Sequence, residues 1–424
     1  MKARYLAVLA AMTAFSAASV MAYDATANIR MSGSIMSADK SNVKDKADLT
    51  FLTNSPVNQL DNPGDGIEID FDAGIAGAHL ALWYKTALNN GADKNESDDW
   101  AAHFRRTYIY FRPVDMLTLQ LGYVGDDTFF KERIDQWKVG SPFSIGDKGR
   151  NWVDHPGYIN CNDVEGWGFG VTLRPITALV LNAGITPAKK GGFYNGVKPG
   201  ISFDDDGNAI VAPWGVGAKY YWKNFEFQAS YRRGIKGAVA ESDDNNTGTY
   251  KESWSVLRFG AGYSDSDVYA FVQPVLGFDY DKPADRMALT GLCLDLYGEY
   301  YLSAWTFMLH LPVTLRFTDA SGDVNYMEWV AVAKYNLGSF GNLDDLSPYV
   351  KVGSIWDDVN VDVADRVWRL DDTFNDYFNM SAAGGVTFSV ANAKVDVAVQ
   401  YTKYRSKYDK EWNVSIPFGV KITF

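Results

Sequence analysis

Hydrophobic and polar residues alternate with a period of two along most of this chain. The pattern is clearest over residues 412–424, where one parity is entirely apolar and the other is small, polar or charged. Because successive side chains of a β-strand point to opposite faces, this segment is predicted to be a strand with one apolar face. That face consists of Trp412, Val414, Ile416, Phe418, Val420, Ile422 and Phe424.

The same alternation predicts about eighteen strands, separated by clusters of Gly, Pro, Asn, Asp and Ser. No segment of comparable length shows the 3.6-residue period of an amphipathic helix, so the predicted fold class is all-β. The predicted strands span residues 25–36, 66–74, 77–86, 103–112, 116–124, 166–174, 178–186, 213–222, 225–233, 253–263, 267–278, 287–301, 304–317, 325–337, 347–354, 381–390, 393–403 and 412–424.

The connections between these strands alternate between short and long. The short ones, such as "FRPVDM" and "YWKNF", contain the residues that favour tight turns. A soluble β-sandwich has no reason for this regularity, whereas a transmembrane barrel has tight turns at one rim and long loops at the other. The long connections include residues 37–65, 125–165, 187–212, 234–252 and 355–380.

The polar parity of several strands carries charged side chains. In the segment 304–317 the apolar parity includes Phe307 and Leu309, while the opposite parity includes His310 and Arg316. Unpaired charge is costly in a dry protein core, but it is normal on the wall of a water-filled lumen. The charged parity is therefore predicted to face a lumen and the apolar parity to face lipid.

The amino terminus has the features of a cleaved secretory signal. Lys2 and Arg4 precede an apolar run that ends in "SVMA", and cleavage is predicted after Ala22. Beyond residue 22 no stretch approaches the roughly 18 consecutive apolar residues that a membrane-spanning helix needs. The predicted domains are a signal peptide over 1–22 and one barrel over 23–424.

Composition narrows the choice of partners. The formal net charge is −12 and becomes −14 once the leader is removed, which argues against nucleic acid as a partner. Cys161 and Cys293 are the two cysteines, too few for a disulfide scaffold or a zinc module, and whether they form a bridge stays open. Trp and Tyr residues are frequent at predicted strand ends, which is typical of the aromatic girdles of membrane barrels.

The chain resembles the outer-membrane β-barrel porins of Gram-negative bacteria over nearly its whole mature length. The resemblance is carried by the leader, by hairpins such as "YIYFRPVDMLTLQLGY", by the alternation of turn and loop length, and by the terminal "SIPFGVKITF". It implies an up-and-down antiparallel barrel of about 18 strands, with 16 as the alternative. It also implies an outer-membrane location, with short periplasmic turns and long extracellular loops. These motifs do not resolve the subfamily.

The resemblance also implies partners. Phe418, Val420, Ile422 and Phe424 match the insertion signal that the barrel-assembly machinery reads at the end of outer-membrane barrels. Outer-membrane lipid and small hydrophilic solutes are the other implied partners. A homotrimer is implied by the resemblance alone.

Function in such a barrel depends on what narrows the lumen and what charge lines it. In porins the third extracellular loop folds inward, and here the third long connection, about 125–165, is also the longest. The resemblance therefore suggests an acidic constriction in this loop, and the alternative is a solvated run of charge. The candidate residues are Asp126, Asp127, Glu132 and Asp135.

Strand parity selects candidates for the lumen wall itself. Acidic and basic side chains nearly balance on the predicted inner face, so strong ion selectivity does not follow from the sequence. The alternative is that each arginine pairs with a neighbouring carboxylate and only stiffens the wall. The pore-lining candidates are the basic residues Arg30, Arg106, Lys219 and Arg258, and the acidic pair Asp295 and Glu299.

The expected function is passive diffusion of small hydrophilic solutes and ions through a water-filled channel. The alternatives are a substrate-specific channel, for sugars or acidic metabolites, and a surface adhesin or structural barrel that acts through its loops. No cofactor, metal site or enzymatic activity is expected, because the histidines lack metal-ligand spacing. They are His79, His103, His155 and His310. The sequence leaves the solute, the exact strand number and the oligomeric state open.

Overall fold

The structure, a computed structural model, describes the strands of the chain and most of the short turns between them. The predicted leader, the connection 125–165 and the side chains of both cysteines lie outside the described residues. Described are residues 24–41, 46–51, 66–85, 101–104, 107–124, 166–189, 192–193, 201–203, 209–211, 214–236, 252–281, 286–316, 326–357, 378–403 and 410–424.

All the regular structure in the described residues is β-strand, and none of it is a helix long and apolar enough to cross a membrane. The first half of the chain contains β1 (Asp24–Ser41), β2 (Lys46–Phe51), β3 (Gly66–Asp72), β4 (Ala76–Lys85), β5 (Ala101–Phe104), β6 (Tyr108–Val114), β7 (Leu117–Val124), β8 (Gly166–Ile176), β9 (Leu179–Lys189), β10 (Gly192–Phe193), β11 (Ile201–Phe203) and β12 (Ala209–Val211). The second half contains β13 (Trp214–Trp222), β14 (Phe225–Lys236), β15 (Glu252–Ser264), β16 (Val268–Asp281), β17 (Arg286–Leu302), β18 (Trp305–Arg316), β19 (Tyr326–Tyr335), β20 (Asp344–Asp357), β21 (Phe378–Val390), β22 (Ala393–Lys403) and β23 (Lys410–Thr423).

Eighteen of these strands form a closed antiparallel barrel, in which each strand pairs with its neighbours along the chain. The barrel closes where β23 pairs with β1, in a register that places Thr423 opposite Asn28. The backbone N–H of Phe424 donates to the carbonyl oxygen of Ala27 at 2.8 Å, and Ala27 donates back at 3.2 Å. Closure leaves no free sheet edge, which a barrel in lipid requires.

The other five strands are short additions. β2 pairs with β1, β5 with β4 and β10 with β9, so these three extend the wall beside barrel strands. β11 and β12 form a separate two-stranded sheet. The predicted number of about eighteen barrel strands is confirmed.

The two faces of the wall have opposite chemistry. On β18, Leu309 is 50% exposed whereas the next residue, His310, is 1% exposed. A similar contrast holds around the barrel, where many large apolar side chains are exposed and many of the most deeply buried side chains are polar. Since the sheet is closed, the exposed apolar face must be the outer one. The predicted parity is confirmed on β18.

One sequence expectation needs correction, because the alternation of short and long connections is not strict. The connection 282–285 on the long-loop side is shorter than the turn 336–343 on the short-turn side.

One short turn shows how the tight rim is stabilised. Asp265 accepts hydrogen bonds from the hydroxyl of Tyr263 at 2.7 Å and from the backbone N–H groups of Asp267 and Val268 at 2.8 Å each. The Tyr263 bond, followed by the two backbone bonds, lowers the pKa of the Asp265 carboxyl. The aspartate therefore stays ionised and holds the β15–β16 turn.

Candidate functional site: the polar inner wall of the barrel

The inner face of β14–β22 carries two groups of polar side chains in contact, one across β14–β18 and one across β20–β22, with the buried apolar residues Val330 and Val332 of β19 between them. Its carboxylates each accept a hydrogen bond from an aromatic side chain on the same face. This arrangement follows from parity: residues of the same parity on adjacent antiparallel strands point into the same space, so their side chains meet. The carboxylates are Glu226 on β14, Asp295 and Glu299 on β17, and Asp396 on β22.

Asp295 and His310 form a deeply buried pair on this wall. The Nε2 atom of His310 lies 2.6 Å from Oδ1 of Asp295, and their side chains are 1% and 3% exposed. The His310 ring stands edge-on to the Tyr297 ring, with 6.2 Å between their centroids. The pair therefore has a fixed geometry near the middle of the wall.

Glu299 is held by two tyrosines of its own strand. The hydroxyl groups of Tyr297 and Tyr301 both donate to its carboxylate, one to each oxygen. Tyr269 on β16 packs edge-on against Tyr297 and donates to Glu226 at 3.3 Å. Acidic side chains and tyrosine rings thus form one connected network across β14–β17.

A second network crosses β21. Tyr349 on β20 donates to Asp396 on β22 at 2.8 Å, although a whole strand lies between them. The bond is feasible because the inner face of β21 is small at this level: Tyr349 faces Gly385, and a Cβ there would lie 2.6 Å from the tyrosine hydroxyl. Lys351, which is 1% exposed, lies on the same face and interacts electrostatically with Asp396.

We expect Gly385→Ala to disrupt this network. The added methyl group would overlap the ring of Tyr349 and the Cβ of Ala398, at 2.6 and 2.8 Å, so the expected cost is about 1–3 kcal/mol of unfolding free energy. Denaturant unfolding of the barrel in detergent or lipid measures it. Gly384→Ala is the matched control, because a Cβ at this outward-facing neighbour meets nothing within 4 Å. Equal destabilisation by the two variants would contradict the packing described.

A separate charged cluster lies where β3, β4 and β6 meet the short-turn rim. Arg112 donates through Nη1 to both oxygens of Asp72, at 3.0 and 3.1 Å. Nδ1 of His79 lies 2.6 Å from Oδ1 of Asp70, and the His79 ring stacks on Tyr108 with 5.2 Å between centroids. This cluster is more exposed than the wall of β14–β22.

The pore-lining candidates are distributed unevenly. Arg258, Asp295 and Glu299 lie on the buried inner face, and Lys219 is half-buried on that face. Arg30 lies on β1, but its side chain is outside the described residues, and Arg106 is outside them altogether. The basic wall that the sequence suggested is thus placed at Lys219 and Arg258 alone, and its role stays a prediction.

The other predicted site residues lie in the third long connection and in the terminal strand. The constriction residues Asp126, Asp127, Glu132 and Asp135 are outside the described part of the chain. In the terminal strand, Phe418, Val420 and Ile422 are half-buried and have the opposite parity to the buried residues Pro417 and Gly419. Phe424 is 59% exposed. Their role as an insertion signal stays a prediction.

Sequence reasoning missed how several residues are used. His310 lies on the predicted polar parity but is not among the pore-lining candidates, and Asp396 is not among them either. Tyr349 and Lys351 are not among the candidates either, although alternation on β20 places both side chains on the same face. Tyrosine on a polar parity was the available signal, since its hydroxyl needs a partner when buried. Among the side chains described, no group of three or more His, Cys, Asp or Glu could hold a metal ion.

The fold is similar to that of solved outer-membrane porins. A BenF-like porin from Pseudomonas fluorescens Pf-5 aligns with a TM-score of 0.50 at 12% identity, over 95% of this chain and 99% of that one. OpdK of Pseudomonas aeruginosa, solved with vanillate, aligns with a TM-score of 0.48 at 12% identity, over 95% and 99%. The outer membrane channel DcaP of Acinetobacter baumannii aligns with a TM-score of 0.48 at 12% identity, over 95% and 97%.

These likenesses concern the fold. No protein-family model matches the chain, and no curated protein matches it in sequence. The chain has the fold of an outer-membrane porin, a closed antiparallel barrel of 18 strands. The subfamily is not resolved.

Proposed function

We propose that this protein is an outer-membrane porin, a channel through which small hydrophilic solutes and ions diffuse passively. The observation that carries the proposal is the closed 18-strand wall with an apolar outer face and a polar, charged inner face. Barrels of about eight strands fill their interior with side chains, whereas barrels of 16–18 strands leave an aqueous channel. Such a channel needs no cofactor and no catalytic chemistry.

The apolar outer face of the barrel also supports a proposal for the protein's location and partners. The apolar outer face suits lipid, and a barrel of this kind belongs to the outer membrane of a Gram-negative cell. We further propose that residues 1–22 are removed as a signal peptide during export and that the barrel-assembly machinery inserts the chain. We also propose that the protein forms a homotrimer, on the basis of its resemblance to porins alone.

Conductance in planar bilayers tests the channel. Purified, heat-modifiable protein should give stepwise ionic currents that persist at constant voltage. Steady current that is blocked by one class of solute would favour the substrate-specific alternative. Folded barrels that insert but carry no current would contradict the proposal and favour an adhesin or structural role.

A constriction by the third long loop is the finer part of the proposal. Removing residues 126–150 should raise single-channel conductance and admit larger solutes, because the deleted segment includes Asp126, Asp127, Glu132 and Asp135 and is proposed to narrow the lumen. Single-channel recording and liposome swelling with sugars of graded size measure this. Unchanged conductance and unchanged size cut-off would place the filter elsewhere.

A further inference from the structure

We propose that two places on the outer face of the barrel bind the phosphate groups of anionic lipids, in the leaflet on the long-loop side. The inference goes beyond the proposed channel, because it requires only that the barrel stands in a lipid bilayer. The first lipid site consists of Trp214, Tyr231 and Arg233, and the second of Tyr401, Lys403 and Trp412.

The outer face carries positive charge at two positions. On β14 the outward parity runs from Phe225 and Phe227, which are 40% and 41% exposed, to the exposed Arg233. On β22 it runs from Val399, which is 57% exposed, to the exposed Lys403. Away from the short-turn rim, these are the two charged side chains that the structure describes on the outer face. Both are basic, so this part of the face presents cations and no carboxylate.

Both cations lie near the long-loop edge of the apolar band. β14 begins at Phe225 and β22 at Ala393, so Arg233 and Lys403 are eight and ten residues beyond the short-turn ends of their strands. At about 3.3 Å per residue and a tilt of about 40°, they stand roughly 20 and 25 Å above that rim. The apolar band of such barrels is about 25 Å tall, and a lipid-facing cation costs much less near its edges than at its middle. This level is where lipid headgroups begin.

The neighbours of Arg233 gather polar groups at the same level. Trp214 on β13 and Ser255 on β15 lie directly opposite Arg233 in the sheet. Tyr231 is two residues nearer the membrane centre on the same face, and its ring centroid lies 5.4 Å from that of Trp214. The hydroxyl groups of Tyr231 and Ser255 share a hydrogen bond of 2.9 Å. Arginine binds phosphate through paired N–H groups, and Trp and Tyr favour the headgroup level, so the three side chains of this lipid site suit a lipid phosphate.

The second lipid site repeats this arrangement in another part of the wall. Lys403 lies directly opposite Trp412 on β23, as Arg233 lies opposite Trp214. Tyr401 is two residues nearer the membrane centre on the same face and is 41% exposed. The same three side-chain types thus recur on a different pair of strands at a similar height. A common surrounding medium explains the recurrence better than two unrelated packing requirements do.

The sign of the charge favours lipid over a second copy of the chain. Another barrel would approach with its own outer face, where the described charges away from the short turns are again Arg233 and Lys403. Two such faces would repel each other at this level. An anionic headgroup is complementary to both cations, and it is attracted to a basic side chain near the membrane surface.

Native mass spectrometry of the folded barrel in detergent tests the proposal. Titration with phosphatidylglycerol, and separately with zwitterionic phosphatidylcholine, counts the bound lipids and measures their dissociation constants. We expect the unmodified protein to bind two molecules of phosphatidylglycerol more tightly than phosphatidylcholine. Arg233→Gln and Lys403→Gln should each weaken the binding of one of them by about five-fold, and the double variant should weaken both.

The matched control is Lys394→Gln, which removes the same charge from β22 at its short-turn end, on the opposite parity to Lys403. It should leave the binding of both lipids unchanged. Unchanged affinity for phosphatidylglycerol in the double variant, or equal affinity of the unmodified protein for the two lipids, would overturn the inference. Lipid-free oligomers that form with the unmodified protein but not with the double variant would assign these residues to a second copy and also overturn it.

Failure of this inference and failure of the proposed function give different results. Lipid counting needs no ionic current, so a folded barrel that binds phosphatidylglycerol at both sites but conducts no ions would contradict the channel and support the lipid sites. A conducting barrel whose lipid binding ignores both substitutions would support the channel and overturn the lipid sites.

Discussion

Replacing Leu309 by arginine should destabilise the barrel by about 2–4 kcal/mol, the cost of placing arginine on the lipid face near the bilayer midplane. Leu309 is 50% exposed on the outer face, and it lies four residues into β18, roughly 12 Å from the short-turn rim along a tilted strand. The guanidinium would have lipid around it and no polar partner on that face. Unfolding titrations of the refolded barrel in lipid vesicles give the difference in free energy.

The control is Thr306→Arg on the same strand. Thr306 has the opposite parity, is half-buried on the inner face and lies close to the rim, so an arginine there can reach water. We expect this variant to unfold within about 0.5 kcal/mol of the unmodified protein, the usual range for substitutions at tolerant positions. If Thr306→Arg were the more destabilising change, the two faces of β18 would be inverted.

Deleting Phe424 should strongly reduce the amount of folded protein in the outer membrane. The residue contributes two backbone hydrogen bonds to Ala27 at the point where β23 closes on β1, and its side chain ends the apolar parity of the terminal strand. Loss of the residue therefore removes both part of the closure and part of the proposed insertion signal. Heat-modifiable protein in outer-membrane fractions is the measurement.

Substitutions separate the two roles of Phe424. Phe424→Asp keeps the backbone bonds and places a charge on a side chain that is largely exposed, so it tests the signal alone. Phe424→Leu keeps both the bonds and an apolar end, and folded protein should remain close to the unmodified level. Equal yields from the deletion, the aspartate variant and the unmodified protein would rule out any role for the last residue in assembly.

The sequence predicted the barrel because its signal is local. On β18 the alternation from Trp305 to Arg316 assigns each side chain to a face, and the structure agrees within one residue at both ends. Errors arose where the backbone departs from regular pleating. The predicted strand 347–354 omits residues 344–346, where the pairing of β20 with β21 is irregular and Asp345 has a φ of 53°.

The pairs on the inner wall could not be predicted in the same way. Tyr349 and Asp396 are 47 residues apart, and they meet only because β20 and β22 pair with β21 in registers that put Gly385 between them. The same holds for His310 and Asp295, which are 15 residues apart on strands joined by a hairpin. Because the short turn at 303–304 fixes the register of β17 against β18, the sequence could have predicted that these two residues lie close together.

Alternation along the chain by itself determined that the protein is an all-β barrel, roughly where the strands lie, and which face of β18 meets lipid. Neighbouring residues of a strand point to opposite faces, and each face meets a different medium, so the pattern can be recognised from local sequence. Only the tertiary structure decided which charges neutralise which. The interaction between two charges depends on a few ångströms of separation and on burial, and both are set by strand register and by small residues on intervening strands. For this reason the sequence contains a nearly balanced set of acids and bases, whereas the folded wall contains two separate networks, one of carboxylates, tyrosines and His310 and one that joins Tyr349 to Asp396.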